Sequence, residues 1–289
     1  MAADMALYAV KAARRGAYKF YDPSMNKEVS ERRQIETDLR NAIGANELEL
    51  YYQPIINVRG DALSGFEALV RWRHPTQGLV SPAVFIPVAE DTQLILPLGE
   101  WVLREACREA ARWRPDLRIA VNLSPVQFSD PNLADIVERV LAETGLRPDR
   151  LDLEITEQVF INDCDQVIAV LQRLKRLGVR IAMDDFGTGY SSLSYLRSFP
   201  FDEIKIDRTF IADLAKGAEH ASIVQAVISM AHAFGMTTTA EGVETLGQHQ
   251  FLSALGCDEA QGFLLGRPQS VADLEVSSTA WAGGKSFAA

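Results

Sequence analysis

Residues 150–185 read RLDLEITEQVFINDCDQVIAVLQRLKRLGVRIAMDD, and this stretch decides the fold. Two short apolar runs, which end near Glu157 and Asp185, are typical of buried strands. Between them, DQVIAVLQRLKRLG has apolar residues at helical spacing and ends at Gly178, a common helix stop. A strand, a helix and a second strand in succession predict a parallel α/β unit.

The same alternation of strands and helices begins at Leu48 and continues along most of the chain. Only INVRGDALSG separates the first two predicted strands, and it carries a turn signal at Arg59, Gly60 and Asp61. Since this connection is too short for a crossover helix, the two strands are predicted to pair antiparallel. The expected fold class is therefore α/β, a TIM-like (β/α)8 barrel with the first strand antiparallel.

Polar residues end the predicted strands one after another. In an α/β barrel the C-terminal ends of the strands converge on one face, so residues far apart in sequence become neighbours. The series therefore predicts one shared polar site. Its members are Gln53, Glu67, Asn122, Glu154, Glu157, Asp184, Asp185, Lys205, Asp207, Glu241 and Gln261.

The composition argues against several classes of protein. The chain has 39 acidic and 29 basic side chains and a formal net charge of -10, which argues against binding to a nucleic-acid polymer. Cys107, Cys164 and Cys257 are too far apart to indicate a zinc site or a disulfide framework. No apolar run approaches the roughly 20 residues of a membrane span, and the first residues lack the apolar core of a secretion signal. A cytoplasmic location is expected for this fragment, although a longer parent protein could be membrane-anchored.

The strand-end carboxylates indicate a metal site. Taken singly, each of them is more typical of a solvated loop or a helix cap. Several ionised carboxylates within a few ångströms of one another must instead bind a cation or take up protons. Oxygen ligands of this kind suit Mg²⁺ and Mn²⁺. The candidate ligands are Glu67, Asn122, Glu154, Asp184, Asp185 and Glu241.

Asp184 and Asp185 are adjacent, and neighbouring side chains of a regular strand point to opposite faces. Both can face one site only where the strand is interrupted, and Gly187 and Gly189 in the following FGTGYSS can supply positive φ angles for that interruption. One aspartate could then bridge two ions while its neighbour holds the second ion. The alternative is a polar turn capped by Asp185.

Lys205 lies between Ile204 and Ile206 in a predicted strand, so the isoleucines should face the barrel wall and the lysine the interior. It is either a salt-bridge element of the interior or a group that orients the attacking water and a phosphate oxygen. The surrounding carboxylates favour the second role. Arg71 is a candidate phosphate clamp, although an arginine at a loop start is more often solvated.

The motifs resemble those of one family. They are FEALVRW (66–72), NLSP (122–125), EITE (154–157), DDFGTGYSSL (184–193), KIDRTFI (205–211), AEGVET (240–245) and QGFLLGRP (261–268). Together and in this order they are similar to the motifs of EAL-domain phosphodiesterases of cyclic di-GMP. The resemblance implies hydrolysis of cyclic di-GMP to linear 5′-pGpG, which requires Mg²⁺ or Mn²⁺ (two ions) and is inhibited by Ca²⁺.

The resemblance also implies roles for individual residues. The first ion is assigned to Glu67, Asn122, Glu154 and Asp184, and the second to Asp184, Asp185 and Glu241. The catalytic residues implied are Lys205, Glu241, Asp185 and Glu157, the last as a tether for the loop after DDFG. The residues implied near the substrate are Gln53, Leu69, Arg71, Asp207 and Gln261.

Residues 3–23 resemble the C-terminal end of a GGDEF domain, which commonly precedes EAL in one polypeptide. The expected domains are a GGDEF remnant at 1–26, a linker helix at 27–46, an EAL barrel at 47–275 and a flexible tail at 276–289. A homodimer formed through the loop near 186–196 is suggested by family habit.

Two other functions are open from the sequence. A catalytically silent receptor of cyclic di-GMP would share the motifs without turnover. A different metal-dependent barrel enzyme, such as an enolising one, would need a proton-abstracting lysine or histidine that faces a substrate carboxylate. His74, His220, His232 and His249 do not have ligand spacing, which argues against the second alternative.

Overall fold

The structure, a computed structural model, describes residues 24–160, 164–187, 199–216 and 218–274. The expected GGDEF remnant, apart from its last residues, and the expected tail lie outside these ranges, as does Gly189. Within the described ranges, no helix combines the length and the apolar character that a membrane span requires. The expected division into a linker at 27–46 and a barrel at 47–275 stays a prediction.

Helices and strands alternate in the described ranges, as the sequence predicts. The helices are α1 (Ser24–Ala42), α2 (Pro82–Asp91), α3 (Ile95–Ala110), α4 (Leu133–Thr144), α5 (Cys164–Leu177), α6 (Arg208–Ala212), α7 (Ala218–Ala233) and α8 (Leu246–Leu255). The strands are β1 (Leu48–Asn57), β2 (Ala62–His74), β3 (Gly78–Val80), β4 (Arg118–Leu123), β5 (Leu151–Thr156), β6 (Arg180–Phe186), β7 (Glu203–Ile206), β8 (Thr237–Ala240), β9 (Glu259–Ala260) and β10 (Gln269–Ser270).

The described chain forms two compact units. The smaller comprises residues 24–48 and 72–95, and the larger, called the barrel unit, comprises 49–71 and 96–274. In the smaller unit, Leu39 of α1 is fully buried and the ring of Trp72 packs edge-on against Phe85. His74 Nδ1 accepts hydrogen bonds from the backbone of Thr76 and Gln77, so its Nε2 carries the proton that faces Asp38 at 3.2 Å.

Eight strands of the sheet close into a barrel in the order β1, β9, β8, β7, β6, β5, β4 and β2, and β1 pairs with β2 to complete the circle. All pairings from β2 through β4 to β9 are parallel, whereas β1 pairs antiparallel with β9. The predicted (β/α)8 barrel with a reversed first strand is confirmed. Residues 58–61 connect β1 to β2, and Asp61 has a φ of 47° in this turn.

Ionic residues fill the barrel interior at the N-terminal ends of the strands. Arg118 Nη1 lies 3.0 Å from Asp152 Oδ2, and its Nη2 lies 2.6 Å from Glu259. Arg180 Nε lies 2.6 Å from the other oxygen of Asp152, and Glu203 accepts a hydrogen bond from Thr239. Burial raises the pKa of Asp152 and of Glu203, and the guanidinium groups oppose that rise. The arginines are therefore the groups that favour the ionised form of these acids inside the barrel.

Replacement of Arg118 by Met should destabilise the barrel. The variant leaves Asp152 and Glu259 buried without their main cationic partner, and removal of one partner of a buried ion pair typically costs about 3–5 kcal/mol of unfolding free energy. Urea denaturation checks this value. Arg173→Met, which removes an exposed pair with Asp135, is the control and should leave the midpoint unchanged.

The defect of Arg118→Met should also grow with pH. A carboxyl group whose folded pKa is raised contributes stability at low pH, and that contribution is lost as pH rises through the folded pKa. Since loss of Arg118 raises the pKa of Asp152 further, the variant should approach wild-type stability under mildly acidic conditions. A pH-independent difference between the two denaturation midpoints would contradict this account of the cluster.

Candidate active site

Strand register brings the predicted ligands to one end of the barrel unit. Asn122 is paired with Glu154 across β4 and β5, and Asp184 with Thr156 across β5 and β6. On β2, Glu67 accepts a hydrogen bond of 2.7 Å from the Asn122 amide. Asn122, Glu154 and Asp184 lie in the last three residues of their strands, as expected for residues that meet at the C-terminal face of a parallel barrel. Glu67 lies inside the longer β2, next to Ala68, where the parallel pairing with β4 ends.

Lys205 lies at the centre of this group. Its ammonium nitrogen is 2.8 Å from Glu154 Oε1 and 2.7 Å from Glu241 Oε1. Asp184 and Glu67 lie farther away, at 3.6 and 3.8 Å. The side chain is 1% exposed, and Ile204 and Ile206 on either side are buried in the apolar layer. The predicted inward direction of Lys205 is confirmed.

The carboxylates around Lys205 outnumber this one cation, and the pKa values of Glu154 and Glu241 are raised. Burial, with Glu67 and Asp184 adding to it, raises the pKa of Glu154 well above its usual range. Burial raises the pKa of Glu241 to about 7, and Lys205 opposes the shift. Burial alone would lower the pKa of Lys205, but four carboxylates outweigh it and keep the ammonium charged. The site without a further cation therefore tends to take up protons.

Asp184 and Asp185 both reach the site because β6 is irregular there. The register with β7 shifts between Met183 and Phe186, and Asp185 itself has a φ of 53°. The interruption was expected in the segment after Asp185, at Gly187 and Gly189, and Gly187 does have a φ of 95°. The turn nevertheless begins at the second aspartate, whose short polar side chain tolerates the left-handed region better than most residues do.

These residues fit a divalent cation. One carboxylate oxygen from each of Asp184, Asp185 and Glu241 lies within 4.8 Å of the others. Burial and the charge of Asp184 raise the pKa of Asp185. In addition, Glu154 Oε2 is buried without a hydrogen-bond partner among the described residues. A buried oxygen left without a donor is costly, and a metal ion is one partner that would satisfy it.

Two glutamines extend the site toward the reversed strand. Gln261 Nε2 donates to Glu67 Oε2 at 2.6 Å and to Gln53 Oε1 at 3.0 Å. Gln53 in turn donates to the carbonyl oxygen of Gly266 at 3.2 Å. The chain of hydrogen bonds fixes both amide orientations, so Gln261 is held directly beside the carboxylate cluster.

A cavity of about 360 Å³ opens over the cluster. Leu69 and Arg71 lie in its wall, as predicted for residues near the substrate. Arg71 stacks over Tyr51 at 5.4 Å and donates to the Val70 carbonyl. The remaining wall residues are Gln53, Glu67, Asp184, Arg208, Glu241, Gly242, Glu244, Gln261, Gly262, Phe263 and Pro268.

Asp207 lies outside the cavity wall, unlike the other residues that are predicted near the substrate. It is buried outside the cavity wall, and its side chain accepts hydrogen bonds from the backbone and hydroxyl of Thr209 at the start of α6. Its charge also contributes to the raised pKa of Asp185. Asp207 therefore borders the second aspartate and caps α6, and it does not face the space of the cavity.

Glu157 lies one turn beyond the metal-ligand candidates. Its Oε1 accepts a hydrogen bond of 3.3 Å from the backbone nitrogen of Gly187. This contact links the segment after β5 to the loop that follows Asp185. Residues 188–198 of that loop lie outside the described ranges, and with them most of the segment expected to form a dimer.

Four residues with side chains in the cavity wall were not assigned a role from the sequence, namely Arg208, Glu244, Phe263 and Pro268. All four lie inside or beside motifs that the sequence analysis singled out. Their positions follow predicted strand ends by one to several residues, within loops whose direction no periodicity indicates. Membership of these motifs and proximity to a strand end were the signals that could have found them.

Comparisons with known proteins agree with this geometry. The model of the family described as "EAL domain" matches residues 36–268. The chain is 45% identical over 279 residues to the bifunctional diguanylate cyclase/cyclic di-GMP phosphodiesterase MucR of Pseudomonas aeruginosa, covering 95% of this chain and 41% of MucR. It is 40% identical over 276 residues to the cyclic di-GMP phosphodiesterase PdeR of Escherichia coli, covering 94% and 42%.

A solved structure gives the same result. The phosphodiesterase PaMucR, in a complex with c-di-GMP, aligns with a TM-score of 0.79 and 46% identity over 83% of this chain and 98% of that chain. The chain spans less than half the length of the curated relatives it matches. With a family match over most of its length, the barrel and the ordered motifs, the chain belongs to the EAL domain family.

Proposed function

We propose that this chain hydrolyses one phosphodiester bond of cyclic di-GMP and releases linear 5′-pGpG. The observation that carries the proposal is the convergence of Glu67, Glu154, Asp184 and Glu241 around Lys205. Every metal-ligand type and the lysine expected of an active EAL site are present. The names of MucR and PdeR as phosphodiesterases support the same reaction.

The proposed cofactors are two Mg²⁺ or Mn²⁺ ions, with Ca²⁺ as an inhibitor. Glu67, Asn122, Glu154 and Asp184 would hold the first ion, and Asp184, Asp185 and Glu241 the second. When bound, such ions polarise phosphate oxygens and lower the pKa of a nearby water. The raised pKa values of Glu154 and Glu241 support this assignment, because an excess of negative charge is what a divalent cation would neutralise.

The chain's own residues position the reactants. Lys205 supplies a charged donor at the centre of the cluster, where it can hold a phosphate oxygen and orient water. Gln261, fixed by its bonds to Glu67 and Gln53, supplies an amide beside the same position. Glu241 lies 2.7 Å from Lys205 at the same position, where it would serve as a ligand or accept a proton from water.

The cavity supports binding of a dinucleotide beside the carboxylates. Gln53, Leu69 and Arg71 would contact the substrate there, with Asp207 acting through Asp185. Glu157 would position the loop after Asp185 through its bond to Gly187. The proposal also includes a homodimer, a GGDEF domain in the parent chain and a cytoplasmic location.

A product assay distinguishes hydrolysis from the alternative function, a catalytically silent receptor. Incubation of the chain with cyclic di-GMP and Mg²⁺ should yield pGpG by chromatography, because no expected ligand or lysine is missing from the site. Added Ca²⁺ should suppress the product. An intact dinucleotide after prolonged incubation at high protein concentration would favour the receptor.

The variants Asp184→Asn and Lys205→Met should both lose turnover, but for different reasons. Asp184→Asn removes the bridging charge, so both Mn²⁺ affinity and turnover should fall. Lys205→Met removes a positioned donor, so turnover should fall by about 100- to 1000-fold. Its Mn²⁺ affinity should stay the same or increase, because the ammonium that competes with the metal ion for the carboxylates is gone. Turnover assays and Mn²⁺ calorimetry measure the two effects.

The melting temperature shows whether the Lys205→Met variant is folded. Without Lys205 the buried carboxylates lack their cation, so Mn²⁺ should raise the melting temperature of Lys205→Met more than that of the wild type. Equal loss of Mn²⁺ affinity in both variants would show that Lys205 organises the ligands and has no separate role in turnover.

A further inference from the structure

Arg208 follows Asp207 and is the first residue of α6, directly after the strand that carries Lys205. Its side chain is exposed and lies in the cavity wall together with Asp184 and Glu241. The backbone of Gly242, with a φ of 69°, passes so close that a Cβ there would lie 2.5 Å from Arg208 Cβ. The missing side chain at Gly242 therefore leaves room for Arg208 beside the carboxylate cluster.

The cations of the cavity differ in how far they are engaged. Lys205 is buried among four carboxylates. Arg71 is half-buried, donates to the Val70 carbonyl, stacks on Tyr51 and is attracted by Glu67 and Glu49. Arg208 makes no hydrogen bond or ion pair with any residue in the described ranges. Among the described residues of this wall, its guanidinium is thus the cation that is available to a ligand.

Apart from Arg71, the other charged residues of the cavity wall are acidic. Glu67, Asp184, Glu241 and Glu244 all line the cavity. Metal ions held by the cluster would offset the first three of these charges, but only over the phosphate that they contact. A ligand with two phosphates would leave its other phosphate facing an acidic wall unless a separate cation met it.

We propose that Arg208 binds the phosphate of cyclic di-GMP that is not cleaved. This assignment rests on the function proposed above. A guanidinium presents paired donors that match two phosphate oxygens, and such charge-assisted bonds are among the strongest hydrogen bonds in proteins. Arg208 acts in binding and orientation, and the cleavage machinery around Lys205 does not depend on it.

The test is calorimetric titration of the full chain with cyclic di-GMP in the presence of Ca²⁺, the proposed inhibitor, over a series of NaCl concentrations. Arg208→Gln should raise Kd about tenfold and make binding less sensitive to salt, because one ionic contact is lost. Arg208→Lys should recover most of the affinity, since it keeps the charge. In the presence of Mg²⁺, Arg208→Gln should raise KM and leave kcat within about twofold.

The control is Arg176→Gln, which changes an exposed arginine on α5 outside the cavity wall and should alter nothing. A wild-type Kd in Arg208→Gln overturns the proposal. A weakened Kd with unchanged salt dependence also overturns it, because the arginine would then read a base edge or shape the wall. Cyclic di-AMP identifies a contact to a base edge. Loss of a phosphate contact lowers the affinity for both dinucleotides by the same factor, whereas loss of a contact to guanine affects only cyclic di-GMP.

The titration distinguishes failure of this inference from failure of the proposed function. If the wild type binds cyclic di-GMP without cleaving it, hydrolysis is wrong and the Arg208 comparison still stands on Kd. If the wild type cleaves the dinucleotide and Arg208→Gln matches it in Kd and KM, only the Arg208 assignment is wrong. If the wild type does not bind the dinucleotide at all, both are wrong.

Discussion

The attraction between Lys205 and the carboxylates around it is the interaction on which the site depends. One ammonium group, buried at the centre of the barrel, faces Glu67, Glu154, Asp184 and Glu241. The lysine neutralises part of their charge but not all of it, so some of the carboxyl groups have raised pKa values. The remaining negative charge is what makes the site suited to a divalent cation.

The two ends of the same barrel show what this imbalance means. At the N-terminal ends of the strands, Arg118 and Arg180 contact Asp152 and Glu203 closely, and Glu259 is bonded to Arg118. There three carboxylates share two guanidinium groups, so their charges are paired more completely than those around Lys205. At the C-terminal ends the acids have too few protein cations. A structural cluster and a ligand-binding cluster therefore differ mainly in how completely their charges are paired.

The sequence predicted the barrel, the reversed strand and the inward lysine, because apolar strand runs and short connections determine these features. It also predicted that Asn122 and Glu154 would become neighbours, since strand ends of a parallel barrel must meet. It did not predict that the backbone would turn at Asp185, because a positive φ at a non-glycine residue depends on the surrounding contacts. Asp207 caps α6 through hydrogen bonds to Thr209, a local contact that its position in a predicted strand end did not indicate, and its expected place near the substrate stays a prediction. Arg208 and Phe263 were missed because loop direction is set by tertiary packing.

The most direct test of the central claim is Mn²⁺ titration of the metal-free chain by calorimetry in buffers that differ in ionisation enthalpy. If the cluster holds protons because it lacks cations, binding near neutral pH should release protons, and the number released should fall as the pH rises above the pKa of Glu241, about 7. Binding without proton release across this range, or no binding of Mn²⁺, would contradict the account.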